Sequence, residues 1–341
     1  MNTRTPFAPR VAIYGLGFIG KSITQLVHEK GWPIVAAYNR AGEKVGQDLG
    51  RLAGLGKDLG IVVQDYEKAD YSGLKADVAL IAGPDYLNDC FPIYERFLTA
   101  GINVLSFGSH AYQPYWFFPE IAKKIDSLAR EHDVTFTGSG LWDMTRIWSG
   151  LIAGGPCIKI SSIEYLTNIE AVRQGVHWLP KLGVGLTVEE FDTKIGCAVG
   201  RFNEVLQVPS VIVLQHYGYT VTHVKLRQEP VVFAESVYCK EVDQEVAAGR
   251  CVGTRVIIDV DTKEGVSAHN QFEYRLFRSG EVEAGTWKIN GSPGMQVTVA
   301  REDSHISSAT SLLNRVPDVL RAKPGIVTIM EMGPELPSVF L

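Results

Sequence analysis

Gly15-Leu16-Gly17-Phe18-Ile19-Gly20 is a GxGxxG run, placed between an apolar strand, RVAIYGLG, and a helical segment, FIGKSITQLVHEKG. Glycine in the first position permits a tight turn. In the second it lets backbone approach a pyrophosphate, and in the third it lets the helix pack closely on the strand. The helix N-terminus adds aligned N–H donors, so Gly15, Gly17, Phe18, Ile19 and Gly20 read as a dinucleotide cradle. The next strand, PIVAAYN, ends at Asn39, followed by Arg40 and then Lys44. NAD enzymes usually carry an acid at that strand end to hold the ribose 2'-hydroxyl. Asn39, Arg40 and Lys44 suit a 2'-phosphate instead, so the expected cofactor is NADP(H), with NAD(H) as the alternative.

Proton chemistry has three candidates. His110 lies in the aromatic stretch VLSFGSHAYQPYWFFP and has an ordinary pKa suited to exchange near neutrality. It reads either as a proton carrier or as a satisfied structural histidine. Asp143 follows the sixth strand and reads either as an acid/base or as a helix cap. Tyr112 is a donor or orienter, or packing. Trp142, Tyr165 and Trp178, with Asn168 and His177, are expected to line an apolar pocket for a small organic substrate, opposite the aromatic loop. Arg146 and Arg173 are the arginines available for a substrate carboxylate.

These residues need a scaffold. Over the first 140 residues apolar strands alternate with amphipathic helices, which predicts a parallel sheet covered on both faces. In such sheets the ligand lies beyond the carboxyl ends of the strands. That places Ala82-Gly83-Pro84, Ser106-Phe107-Gly108 and Ser139-Gly140 near the nicotinamide. From about residue 157 the pattern changes to period two, as in IKISSIEYLTNIEA and RVIIDVDT, which predicts long antiparallel strands. One helix interrupts them, opening at Thr187 with Glu190 three residues on, a capping-box spacing. The predicted fold is therefore α/β: a Rossmann-type parallel-sheet domain over 1–150, an α+β mixed-sheet domain for substrate binding and dimerisation over 151–303, and a C-terminal segment, 304–341, whose helix packs back on the first domain.

Composition narrows the class further. The chain has 341 residues and a formal net charge of -5, which disfavours nucleic acid as a partner. No apolar run approaches the roughly 18 residues of a membrane span. The five cysteines are dispersed with no metal-like spacing, so no metal site is expected and a reducing cytoplasm is. The N-terminal MNTRTPFAPR lacks the apolar core of a signal peptide and reads as a short lead.

Several segments, taken in order along nearly the whole chain, resemble the 2,4-diaminopentanoate dehydrogenases and native amine dehydrogenases. They include YGLGFIGKSI, AGINVLSF, PEIAKKIDSLAREHDVTFTGSG, LGVGLTVEEF, INGSPG and SLLNRVPDVLRAKPGIVT. The resemblance implies a dihydrodipicolinate reductase-like N-terminal domain, reversible interconversion of amines and carbonyl compounds with NAD(P)H and ammonia, and a homodimer formed through the sheet domain. It also implies that Asn314, in SLLNRVP, faces the nicotinamide. Two departures stand out. The family keeps its working glutamate in a segment like STCEE after the fifth strand, where this chain reads Ser106-Phe107-Gly108-Ser109-His110. After the sixth strand GTGVNPGF is replaced by GSGLWDM. Three readings follow: an NADP(H)-dependent amine dehydrogenase-type enzyme with His110 or Asp143 replacing the glutamate, an ammonia-independent carbonyl or imine reductase, and a catalytically silent NADPH sensor.

Overall fold

The computed structural model describes residues 8–140, 142–197 and 200–337. The chain divides into two units, one of residues 1–143 with 305–341 and the other of residues 144–304.

In the first unit, six short strands alternate with helices: β1 (Val11–Tyr14), β2 (Ile34–Asn39), β3 (Val63–Asp65), β4 (Val78–Ile81), β5 (Asn103–Ser106) and β6 (Thr135–Gly138). A return strand, Gly325–Ile326, joins the edge beside β6, and every pairing in this sheet is parallel. The order, return strand-β6-β5-β4-β1-β2-β3, reverses direction between β4 and β1. The central strands β1 and β4, unbroken apolar runs, are buried along their whole length, and β2 and β3 at the edge less so. One face packs on the helices Leu87–Thr99 and Pro119–Glu131 through Ile93, Phe97, Ala122 and Ile125. The other packs on the helix Phe18–Glu29 through Ile23 and Val27. The helix Ser304–Arg321 joins this second layer through Ala309, Leu312, Leu313 and Val316. Pro119 opens its helix in the first turn, where the missing N–H costs nothing.

The second unit is built on a mixed six-stranded sheet of β7 (Lys159–Glu170), β8 (Val221–Val232), β11 (Cys251–Thr262), β12 (Ser267–Arg275), β13 (Glu283–Ser292) and β14 (Met295–Arg301), beside a two-stranded hairpin of β9 (Val237–Cys239) and β10 (Gln244–Val246). The order is β14-β13-β7-β12-β11-β8. Period-two patterning predicts antiparallel strands, but β7 and β12 pair in parallel at the centre. Alternation fixes which face is buried and says nothing of direction. Tyr165, Phe272 and Trp287 point from one face into a core. The helix Ser149–Gly154 presses on that core: a Cβ on Gly150 would lie 2.7 Å from the Trp287 ring, and one on Gly154 would lie 2.0 Å from the Tyr217 hydroxyl. At Thr187 the predicted capping box forms, with reciprocal bonds to Glu190 of 3.1 and 2.9 Å.

Candidate active site

The glycine run forms the turn between β1 and the helix Phe18–Glu29. Gly15 has φ +86°, and a Cβ there would sit 2.2 Å from the Ala82 carbonyl oxygen. A Cβ on Gly20 would lie 1.7 Å from the Gly15 carbonyl oxygen. Both positions therefore exclude any side chain. Gly17 differs: it caps the helix in extended conformation and nothing lies within 4 Å of its Cβ position. No side chain caps this helix and its first turn holds no acid. The open space at Gly17 and the uncapped helix start fit an approaching pyrophosphate. Phe18 is 64% exposed, with its ring edge-on to His305 at 4.5 Å, while Ile19 is partly buried against the core.

At the end of β2 the three predicted 2'-phosphate ligands separate. Asn39 Oδ1 accepts from Leu16 N–H at 3.1 Å, and Lys44 Nζ donates to the Leu16 carbonyl at 2.8 Å. Asn39 and Lys44 thus brace the glycine turn, a local use that sequence spacing does not reveal. The Arg40 carbonyl accepts from Asn39 Nδ2 at 3.1 Å, while its exposed guanidinium makes no hydrogen bond or ion pair among the described residues.

Three loops meet at the carboxyl ends of β4, β5 and β6. Ala82 continues β4 through a bond to Tyr14 and backs on Gly15. At Gly83 a Cβ would lie 3.1 Å from Cys90 Sγ, and the Pro84 carbonyl accepts from that thiol. Burial pushes the Cys90 pKa up to about 12, so it stays a neutral thiol. After β5, Ser106 Oγ shares a proton with Tyr94 at 2.6 Å and accepts from Gly108 N–H at 3.1 Å. Phe107 points into the core. Asp85, the residue after Pro84, holds the next turn: its Oδ1 accepts from Ser109 Oγ at 2.6 Å and from Ser109 N–H at 3.2 Å.

His110 is buried in that turn. Its Nδ1 accepts from Leu87 N–H, the first amide of the helix Leu87–Thr99, at 3.3 Å. Its ring stacks on Phe117 at 4.2 Å and is flanked by Phe118 and Tyr86. This geometry caps a helix and fills a core. Of the two readings of His110, it supports the structural one over the proton carrier. Phe117 and Phe118 are accordingly packing for His110.

Asp143 is likewise sequestered, and it is a hub. Oδ1 accepts from Tyr112 Oη at 2.5 Å and Gly140 N–H at 2.8 Å, and Oδ2 accepts from Ser139 Oγ at 2.5 Å. The fully buried Arg315 guanidinium lies 3.5 Å from Oδ2 and also pairs with Asp318 at 2.9 Å and Glu335 at 3.1 Å. Asp143 therefore pins the Ser139-Gly140 turn and the C-terminal helix, a structural use beyond the acid/base and helix-cap expectations. Burial, followed by the Asp143 charge, holds the Tyr112 pKa well above its usual value. Tyr112 is a fixed donor that also accepts from Trp142 N–H at 2.9 Å. Gly140, with φ +97°, backs directly on Leu312 and Ser308.

The residues expected to line the pocket are each found within one of the two units. Trp142 is buried in the first unit, stacked on Tyr112 at 5.5 Å. Tyr165 is buried in the second unit between Phe272 and Trp287. Asn168 is spent on β13, accepting from Ala284 N–H at 2.8 Å and donating to Val282 O at 3.2 Å. The rings of Trp142 and Tyr165 fill cores because burial draws large aromatics inward whatever their neighbours in sequence. His177 is exposed and Trp178 half-buried, with Lys181 Nζ 4.8 Å above the indole. Asn314 is half-buried on the helix Ser304–Arg321. Sequence reasoning passed over Asp85, Arg315 and Glu335. Arg315 and Glu335 carry no local signal, but Asp85 does: it is a carboxylate just past the carboxyl end of β4.

A parallel sheet with a glycine-run turn at its switch point defines a Rossmann-type oxidoreductase. Residues 151–338 match the 2,4-diaminopentanoate dehydrogenase C-terminal domain model. The chain is 24% identical to 2,4-diaminopentanoate dehydrogenase of Acetoanaerobium sticklandii, covering 95% of this chain and 93% of that one. Its structure is similar to that of an amine dehydrogenase from Mycobacterium smegmatis, with TM-score 0.80 and 26% identity over 98% of both chains. GenD2 from gentamicin A biosynthesis, solved in complex with NAD, shares the fold at TM-score 0.61 and 13% identity, over 97% of this chain and 93% of that one. The chain belongs to the 2,4-diaminopentanoate dehydrogenase family and is an NAD(P)H-dependent oxidoreductase. No helix among the described residues is long and apolar enough to cross a membrane, and no group of His, Cys, Asp and Glu among them is arranged to hold a metal.

Proposed function

We propose that the protein is an NADP(H)-dependent oxidoreductase of the amine dehydrogenase type, acting on the C–N or C=N bond of a small organic substrate. The observation that carries this reading is the whole-chain likeness to the mycobacterial amine dehydrogenase, joined to a glycine turn whose open face fits a pyrophosphate. A bound nicotinamide supplies hydride exchange with the substrate carbon.

The chain's own residues do the rest. In this reading Gly15, Gly17 and Gly20 shape the turn, and the first amides of the helix Phe18–Glu29 hold the pyrophosphate. Arg40 takes the 2'-phosphate, for which its exposed, unengaged guanidinium is suited. Asn39 and Lys44 keep the turn in shape behind it. Ala82-Gly83-Pro84, Ser106-Phe107-Gly108 and Ser139-Gly140 set the floor beside the nicotinamide through backbone placement. The first unit is the dinucleotide-binding domain, and the second binds substrate and forms a homodimer through its sheet. The face of that sheet opposite Tyr165 and Trp287 supports the dimer. It carries ion pairs such as Arg227–Asp259 at 2.5 Å and Arg255–Glu273 at 2.6 Å, with Leu166 exposed among them. All five cysteines are free, which supports a cytoplasmic location.

A second reading, an ammonia-independent carbonyl or imine reductase, is favoured by one observation: Ser106–His110 contains no carboxylate. Both readings are tested by following NADPH absorbance with ketones, aldehydes and preformed cyclic imines, with and without ammonium. Ammonium-dependent turnover supports the first reading, and turnover indifferent to ammonium overturns it in favour of the second. Tighter binding of NADH than NADPH in a fluorescence titration overturns the cofactor assignment.

A further inference from the structure

We infer that Asp85, supported by Ser109, is the acid/base of the reaction, an inference that rests on the amine dehydrogenase reading above. Asp85 follows β4, the strand on one side of the switch point, and β1 with its glycine turn is on the other. Ligands of such sheets lie in the crevice between those two carboxyl ends. The β4 loop closes on the glycine turn itself, since Ala82 leaves no room for a side chain on Gly15. It also closes on the β5 loop, where a Cβ on Gly108 would lie 3.0 Å from the Pro84 carbonyl. Asp85 thus stands where the β1, β4 and β5 loops converge.

Its chemistry differs from that of the other candidates there. His110 is spent as a helix cap, and Asp143 is sealed among four donors. Asp85 is half-buried rather than sealed. Ser109 fixes one carboxylate oxygen with two hydrogen bonds, 2.6 and 3.2 Å long. The other oxygen, Oδ2, has no hydrogen bond or ion pair among the described residues. One lone-pair edge is therefore oriented and the other is available, which is what proton transfer at a substrate requires.

In the oxidative direction a bound NADP+ would supply hydride acceptance, so the substrate reaches Asp85 as an iminium. Asp85 takes one proton from the water that attacks the iminium carbon. A C–O bond forms and the C=N π pair returns to nitrogen, giving a carbinolamine. Protonated Asp85 then returns its proton to that nitrogen. The C–N bond breaks, ammonia leaves, and the hydroxyl proton passes to solvent as the carbonyl forms. One amine, one NADP+ and one water become one carbonyl compound, one ammonia and one NADPH, with one proton released. Reduction of a preformed cyclic iminium skips the water and ammonia steps and needs no such base.

The test compares wild type, Asp85→Asn, Asp85→Glu and Ser109→Ala in two assays with NADPH: cyclohexanone plus ammonium, and 2-methyl-1-pyrroline. Asp85→Asn is expected to lose at least about 100-fold in the ammonium assay and less than about tenfold in the imine assay. Asp85→Glu is expected to recover part of the ammonium activity, and Ser109→Ala to lose about tenfold there. A readout independent of turnover is the carboxyl carbon resonance of Asp85 in 13C-aspartate-labelled protein, assigned by its absence in Asp85→Asn. It should move when cyclohexylamine is added to the NADP+ complex. Equal losses in both assays, or none, overturn Asp85 as the acid/base and leave it a stitch between loops. Should Asp85→Asn not fold, an unimpaired Ser109→Ala with an unmoved resonance overturns it equally. A wild type with no ammonium-dependent turnover overturns the underlying reading instead.

Discussion

The glycine turn at Gly15–Gly20 and the aromatic turn at Ser106–Phe118 sit at the carboxyl ends of β1 and β5, with β4 between them, and the sequence reports the shape of the first far better than that of the second. In the glycine turn, the local shape rests on backbone: φ and close approach, which the residue type glycine reports directly. In the aromatic turn, function rests on what each side chain meets, and those partners come from far along the chain. His110 finds Leu87, Ser109 finds Asp85, and Tyr112 finds Asp143. A residue type suited to proton chemistry is equally suited to capping and packing, and only the partner decides.

That contrast can be broken at several points. The largest effect is expected from Gly20→Ala, whose Cβ would overlap the Gly15 carbonyl. A loss of at least about 3 kcal/mol of stability is expected in chemical denaturation. Close behind is Asp143→Asn. It weakens the charge facing Arg315, Tyr112 and Ser139 and should cost about 3–5 kcal/mol, measured the same way. His110→Ala removes a buried ring and a helix cap, so a loss of about 2–4 kcal/mol is expected. If its stability were unchanged while turnover vanished, the assignment of His110 to structure would fail.

Gly17→Ala sharpens the comparison from the other side. Its Cβ meets nothing within 4 Å in the protein, so the melting temperature should hold while NADPH affinity falls about tenfold or more. Arg40→Ala should act more selectively, weakening NADPH by about 1–2 kcal/mol in a fluorescence titration and leaving NADH unaltered. Parallel weakening of both cofactors would remove Arg40 from the 2'-phosphate site.

Legibility followed the same divide elsewhere. The parallel sheet, the change to period-two strands and the capping box at Thr187 were all readable, because each is written in local pattern. The parallel pairing of β7 with β12 was not, since direction depends on connection rather than alternation. Asn39 and Lys44 were placed near the cofactor by spacing, but their bonds to Leu16 turn them inward. Trp142 and Tyr165 suit a wall or a core by type alone, and burial puts both in cores. Arg315 and Glu335 stayed invisible because neither lies near Asp143 in sequence.

An enzyme of the amine dehydrogenase type makes or breaks a carbon–nitrogen bond. The most direct measurement incubates the protein with NADPH, a ketone panel and 15N-ammonium and follows the products by mass spectrometry. The expected product is a 15N-labelled amine formed mole for mole with NADPH consumed. An unlabelled alcohol as the reduced product would contradict it.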